Sequence, residues 1–150
     1  MDGDEFLFKY VFPEGIARQD AVAFAIELGD AKASETEMRE YDAMLFYSPE
    51  KRDAFLAQVT AFFMSRDVNR MVNDDVARFD LTPELPKFRF PTLVLTGRYD
   101  MNVAASVAYG IHGRIPGSQF VVFERSGHLP FCEEPDAFLR TVQGFLTPKP

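Results

Sequence analysis

Two short apolar runs, Thr92-Leu-Val-Leu-Thr96 and Gln119-Phe-Val-Val-Phe123, constrain this chain more than any other feature. Both are rich in Leu and β-branched residues, and a helix-compatible stretch over 103–112 lies between them, so the pattern predicts strand, helix, strand. Their hydrophobicity is continuous rather than alternating, which predicts strands covered on both faces, as in a parallel α/β sheet. Two parallel strands leave an apolar edge that an independent sheet would pair or cover. The chain is therefore expected to hold the end of a sheet whose beginning lies elsewhere, or to extend that sheet through a second copy.

The flanks differ in kind. Residues 135–146 place Phe138, Val142 and Phe145 on one side of a closing amphipathic helix. Over 13–79 the apolar positions recur at helical spacing, with Ala21, Phe24, Ala25 and Leu28 in one stripe and Phe55, Val59, Phe62 and Phe63 in another. Ser34 and Glu37 form a capping-box pair opening a helix through Met38, Tyr41 and Leu45, and Pro49 ends that helix or begins the next. Leu81-Thr-Pro-Glu-Leu-Pro-Lys87 carries two prolines and reads as a connector. The boundary is placed there, giving a helical region over 1–84 and a βαβα region over 85–150.

Composition narrows the function classes. With 47% hydrophobic residues, 16 Phe and 5 Tyr, the chain carries enough apolar surface for a packed core. Its net charge of −7 would repel a phosphate backbone, so nucleic acid and anionic membrane surfaces are not expected partners. A single Cys forms no internal disulfide, no run approaches ~18 apolar residues, and residues 1–5 lack the pattern of a secretory signal. A reducing cytoplasm is the expected compartment. Two histidines 16 residues apart, with no H-x-x-x-H, do not predict a metal site, and no cofactor motif is present.

The chemistry-bearing residues sit where α/β sheets place their sites. Gly97-Arg-Tyr-Asp100 follows the first predicted strand and Ser126-Gly-His128 the second, putting an acid and an imidazole at the carboxyl ends of adjacent parallel strands. A carboxylate on one ring nitrogen fixes the tautomer and leaves the other nitrogen to take a proton. Asp100 also suits a second role, capping the helix that begins near Val103. His112 is expected to compensate a helix C-terminus, Cys132 to be a buried small residue, and Glu133 and Glu134 to favour the start of the last helix.

Three segments resemble a known family. Pro91-Thr-Leu-Val-Leu-Thr-Gly-Arg-Tyr-Asp100, Ile115-Pro-Gly-Ser-Gln-Phe-Val-Val-Phe-Glu124 and Ser126-Gly-His-Leu-Pro-Phe-Cys-Glu-Glu-Pro135 are similar to the C-terminal third of α/β-hydrolase-fold enzymes, above all proline iminopeptidase-like serine hydrolases. The resemblance covers 85–146. Residues 5–80, including Phe12-Pro-Glu-Gly15 and Glu37-Met-Arg-Glu-Tyr41, resemble the helical lid of such enzymes, and that wording is also similar to epoxide hydrolases and haloalkane dehalogenases. The resemblance implies a helical lid followed by the last βαβα portion of an α/β-hydrolase parallel sheet. It implies Asp100 as triad acid and His128 as general base, and makes Glu37, Glu40, Tyr41 and Tyr47 candidates for the substrate pocket.

No G-x-S-x-G turn occurs, so the resemblance supplies no nucleophile within the chain. The leading expectation is a serine hydrolase segment acting on esters or amides of small molecules or short peptides, including N-terminal prolyl or aminoacyl bonds, and inactive by itself. Its partner would be a complementary N-terminal hydrolase segment or another copy. An upstream Asp nucleophile would instead give epoxide or carbon–halogen hydrolysis, and a non-catalytic binding or oligomerisation module is the alternative from another class.

Overall fold

The structure, a computed structural model, describes residues 41, 44–58, 66–76 and 78–147. Several sequence expectations lie outside the described residues: the Ala21–Leu28 stripe, the Ser34 and Glu37 capping pair, Val59, Phe62 and Phe63, and the candidates Glu37 and Glu40.

Helix α1, Pro49–Leu56, begins where Pro49 suggested a break. Ser48 is its N-cap, its hydroxyl accepting from Lys51 N–H at 3.2 Å, and Pro49 fills the first turn, where a missing N–H costs nothing. Helix α2 spans Arg66–Val76. The expected connector contains a 3₁₀ helix, Thr82–Lys87, with Glu84 N–H on Leu81 O at 2.9 Å and Phe88 N–H on Leu85 O at 3.2 Å. Pro83 and Pro86 donate no N–H, so short i→i+3 turns form there in place of a longer α-helix.

Strands β1, Leu93–Gly97, and β2, Gln119–Phe123, pair in parallel, with Leu93 opposite Gln119 and Gly97 opposite Phe123. Helix α3, Ala105–His112, crosses between them and packs on both. A short helix α4, Pro130–Glu133, leads into α5, Pro135–Leu146. Ala104, Ala108, Ile115 and Phe123 are buried at the centre of this unit, and the Phe138 ring of α5 lies 5.9 Å from that of Phe123. Phe138, Val142 and Phe145 are the half-buried face of α5, as their spacing predicts. Strand β1 is half-buried through Leu93, Val94 and Leu95, and burial deepens at Thr96 and Gly97, toward the end that carries the site.

Candidate active site

The pairing does not stop at the strand ends. Arg98 N–H reaches Phe123 O at 2.9 Å and Tyr99 N–H reaches Ser126 O at 3.0 Å, while the Arg98 guanidinium forks onto the Glu124 carboxylate. That hydrogen bond holds Glu124 below the ordinary carboxylate range. Asp100 is thereby carried to a position facing His128. Gly97 permits the approach: a Cβ there would lie 1.9 Å from the Gly127 carbonyl oxygen.

Asp100 and His128 meet at 2.9 Å, Oδ2 to Nδ1, across 28 residues of sequence. The Asp100 side chain is buried, at 7% exposure, whereas the His128 side chain is 33% exposed, so solvent or a substrate can reach the imidazole. The other Asp100 oxygen, Oδ1, accepts from the N–H groups of Asn102 at 2.9 Å and Val103 at 2.8 Å. The two roles weighed for Asp100 are thus both present, one on each oxygen. As a cap, Asp100 closes the turn ahead of α3 rather than the helix itself, whose N-cap is Ala104.

A strap over 45–48 closes the site from the helical region. His128 N–H donates to Leu45 O at 2.7 Å, and the Tyr47 ring stacks on Tyr99 at 4.4 Å between centroids. Gly127 sits so close beneath the strap that a Cβ would lie 2.5 Å from Leu45 O. Tyr41 donates its hydroxyl proton to Asn102 Oδ1 at 3.1 Å, and Asn102 Nδ2 faces His128 Nε2 at 3.3 Å. Of the two described pocket candidates, Tyr41 therefore connects to the base through Asn102, and the Tyr47 ring is engaged with Tyr99.

Glu134 sits at the start of the last helix as expected, as the N-cap residue of α5, while Glu133 ends α4; neither carboxylate caps α5, and both are bonded elsewhere. Glu133 is buried: Oε1 accepts from the N–H groups of Tyr47 at 2.9 Å and Ser48 at 2.8 Å, and Oε2 accepts from Gly127 N–H at 2.6 Å. Glu134 Oε2 accepts from Arg125 N–H at 2.9 Å and from the Ser126 hydroxyl at 2.7 Å. Together they hold the histidine loop from below, Glu133 tying it to the strap. Their neighbour Cys132 is half-buried, and its thiol is pushed up by burial and then by the Glu133 charge. Less thiolate forms at neutral pH, so iodoacetamide is expected to alkylate Cys132 several times more slowly than an exposed cysteine, with a rate rising as pH is raised. Alkylation at the rate of a free cysteine peptide would contradict this environment.

His112, in the last turn of α3, bonds Ser118 through Nδ1 at 2.8 Å and stacks on Phe120. An open cavity of about 510 Å³ lies at the opposite strand ends, among Pro86, Phe88, Phe90, Pro91 and Pro116. It is remote from the acid and base.

No family model matches the chain. A proline iminopeptidase of Saccharolobus solfataricus is 41% identical over 68 residues, covering 45% of this chain and 22% of that protein. Among solved structures, an esterase from Exiguobacterium antarcticum is 29% identical with a TM-score of 0.62, covering 84% of this chain and 47% of its own. The chain belongs to the α/β-hydrolase superfamily. An α/β-fold family hydrolase from Bacillus anthracis, 24% identical, shares the fold with a TM-score of 0.70 over 90% of this chain and 48% of that one. The chain spans less than half the length of the curated relatives it matches.

Within this α/β-hydrolase chain, sequence reasoning missed Asn102 and the roles of Glu133 and Glu134. Asn102 lies two residues from the acid, in the turn that the acid caps, and that spacing was an available signal. For Glu133 there was none, because its partners are backbone N–H groups up to 86 residues away, and Glu134 bonds a backbone N–H and the Ser126 hydroxyl of the histidine loop.

Proposed function

We propose that this chain forms the lid and the acid–base half of a serine hydrolase cleaving esters or amides, with residues 1–84 as the lid region and 85–150 as the last part of the core. The observation that carries the reading is the pair at 2.9 Å between the buried Asp100 carboxylate and Nδ1 of the part-exposed His128. With Asp100 accepting from Nδ1–H, Nε2 holds a lone pair. A seryl hydroxyl supplied by a complementary segment would donate its proton to Nε2 as its oxygen attacks the substrate carbonyl. The imidazolium then formed is stabilised by Asp100 and protonates the leaving alkoxide or amine. Water attacks the acyl-enzyme by the same exchange, restoring the serine. The relatives' names include a proline iminopeptidase and an esterase, which supports small esters and short peptides, N-terminal prolyl bonds among them, as the substrate class.

The test is expression of the chain together with whatever in-frame sequence precedes residue 1 in its source, followed by assay on p-nitrophenyl acetate and on proline p-nitroanilide. Turnover of at least one of them, blocked by an organophosphate that labels a serine, is the expected result. A protein that turns over neither, or that forms an acyl intermediate on an aspartate, overturns the reading.

A further inference from the structure

The second nitrogen of the base already has a partner. Asn102 Nδ2 lies 3.3 Å from His128 Nε2, while Asn102 Oδ1 accepts from the Tyr41 hydroxyl at 3.1 Å. Both contacts are met by one orientation of the amide, with its oxygen on the Tyr41 hydroxyl and its NH₂ toward the ring. The Asp100 carboxylate fixes that direction: Oδ2, at 2.9 Å, can only accept, so the ring proton resides on Nδ1 and Nε2 accepts from the amide. Donation runs one way along the chain, from Tyr41 to Asn102, from Asn102 to His128 and from His128 to Asp100. Asp100 Oδ1 in turn accepts from Asn102 N–H at 2.9 Å, so a single three-residue turn grips both nitrogens of the imidazole.

We propose that Asn102 is a positioning residue for the base. It occupies Nε2 until a hydroxyl or leaving group takes its place, and through Tyr41 it ties that nitrogen to the helical region. The proposal builds on the hydrolytic reading of Asp100 and His128, since a base whose acceptor nitrogen is already paired stays in the productive tautomer without substrate. The cost of that occupancy is small. An amide donor at 3.3 Å contributes about as much as an ordinary net hydrogen bond, and an incoming hydroxyl replaces it.

The test needs neither nucleophile nor substrate. Diethyl pyrocarbonate acylates the unprotonated nitrogen of a neutral imidazole, and mass spectrometry reads His128 and His112 separately in the same chain. Asn102→Ala removes the amide and keeps the backbone N–H that Asp100 holds, so His128 is expected to react about fivefold faster, the weight of one net hydrogen bond, with His112 unchanged. Its Nε2 ¹⁵N resonance should move toward that of an unpaired ring nitrogen, a signature that loosened packing alone does not produce. Tyr41→Phe leaves the amide but not the hydroxyl on its oxygen, and should give a smaller acceleration of the same kind.

Equal His128 rates in the wild type and both variants, with an unmoved Nε2 resonance, overturn the proposal. Should Asn102→Ala unfold, which a rise at both histidines reports, Tyr41→Phe decides by the same criterion. Loss of hydrolysis in the larger protein bears on the preceding reading and leaves these acylation rates untouched, so the two failures are distinguishable.

Discussion

Exchanging Asp100 for Asn is expected to lower hydrolysis by the assembled protein about 10⁴-fold, the scale of losing the correct imidazole tautomer in a catalytic triad. An Asn side chain can keep its oxygen on the Asn102 and Val103 N–H groups, which Asp100 Oδ1 now accepts, so the turn before α3 survives. Its nitrogen then faces His128 Nδ1, where Asp100 Oδ2 accepts at 2.9 Å in the wild type. Two donors cannot share that contact, so the ring proton shifts to Nε2 and the base can no longer take a proton from a nucleophile. The unfolding midpoint in urea should change little beside so large a loss in kcat. A fall in kcat of less than tenfold would remove Asp100 from the mechanism.

Glu133→Ala is expected to cost about 3 kcal/mol of stability, because it strands three N–H donors and a buried unpaired donor costs about 1–3 kcal/mol. Those donors belong to Tyr47, Ser48 and Gly127, so one carboxylate bridges the strap and the histidine loop. Urea unfolding of the full chain measures the loss. Glu133→Gln should cost less than Ala, since an amide oxygen still satisfies part of the set while its NH₂ opposes the remaining N–H. Equal stabilities for the wild type and Glu133→Ala would mean that the strap is not held from this side in solution.

The strands, the crossing helix and the closing helix were legible because each is a local pattern. β2 and α5 fall on the residues that periodicity selects, and β1 is displaced by one, to Leu93–Gly97. Helix α3 starts at Ala105 rather than 103 because the Asp100 carboxylate holds the Asn102 and Val103 N–H groups in a turn. That contact is itself local, and both the cap and the pairing with His128 were readable as roles for Asp100, but the division of its two oxygens between them was not.

By itself the sequence determined the βαβ order, the two post-strand motifs and thereby an acid and an imidazole at neighbouring strand ends. These follow from residue periodicity and from the rule that parallel strands end on the same side. Only the tertiary structure decided that one Asp100 oxygen takes the turn and the other the imidazole, that Asn102 covers Nε2, and that Glu133 clasps the strap. The physical reason is common to all three. Hydrogen bonds to backbone N–H groups and to distant side chains carry no residue code at the partner, so their choice becomes visible only when the chain has brought the groups within about 3 Å.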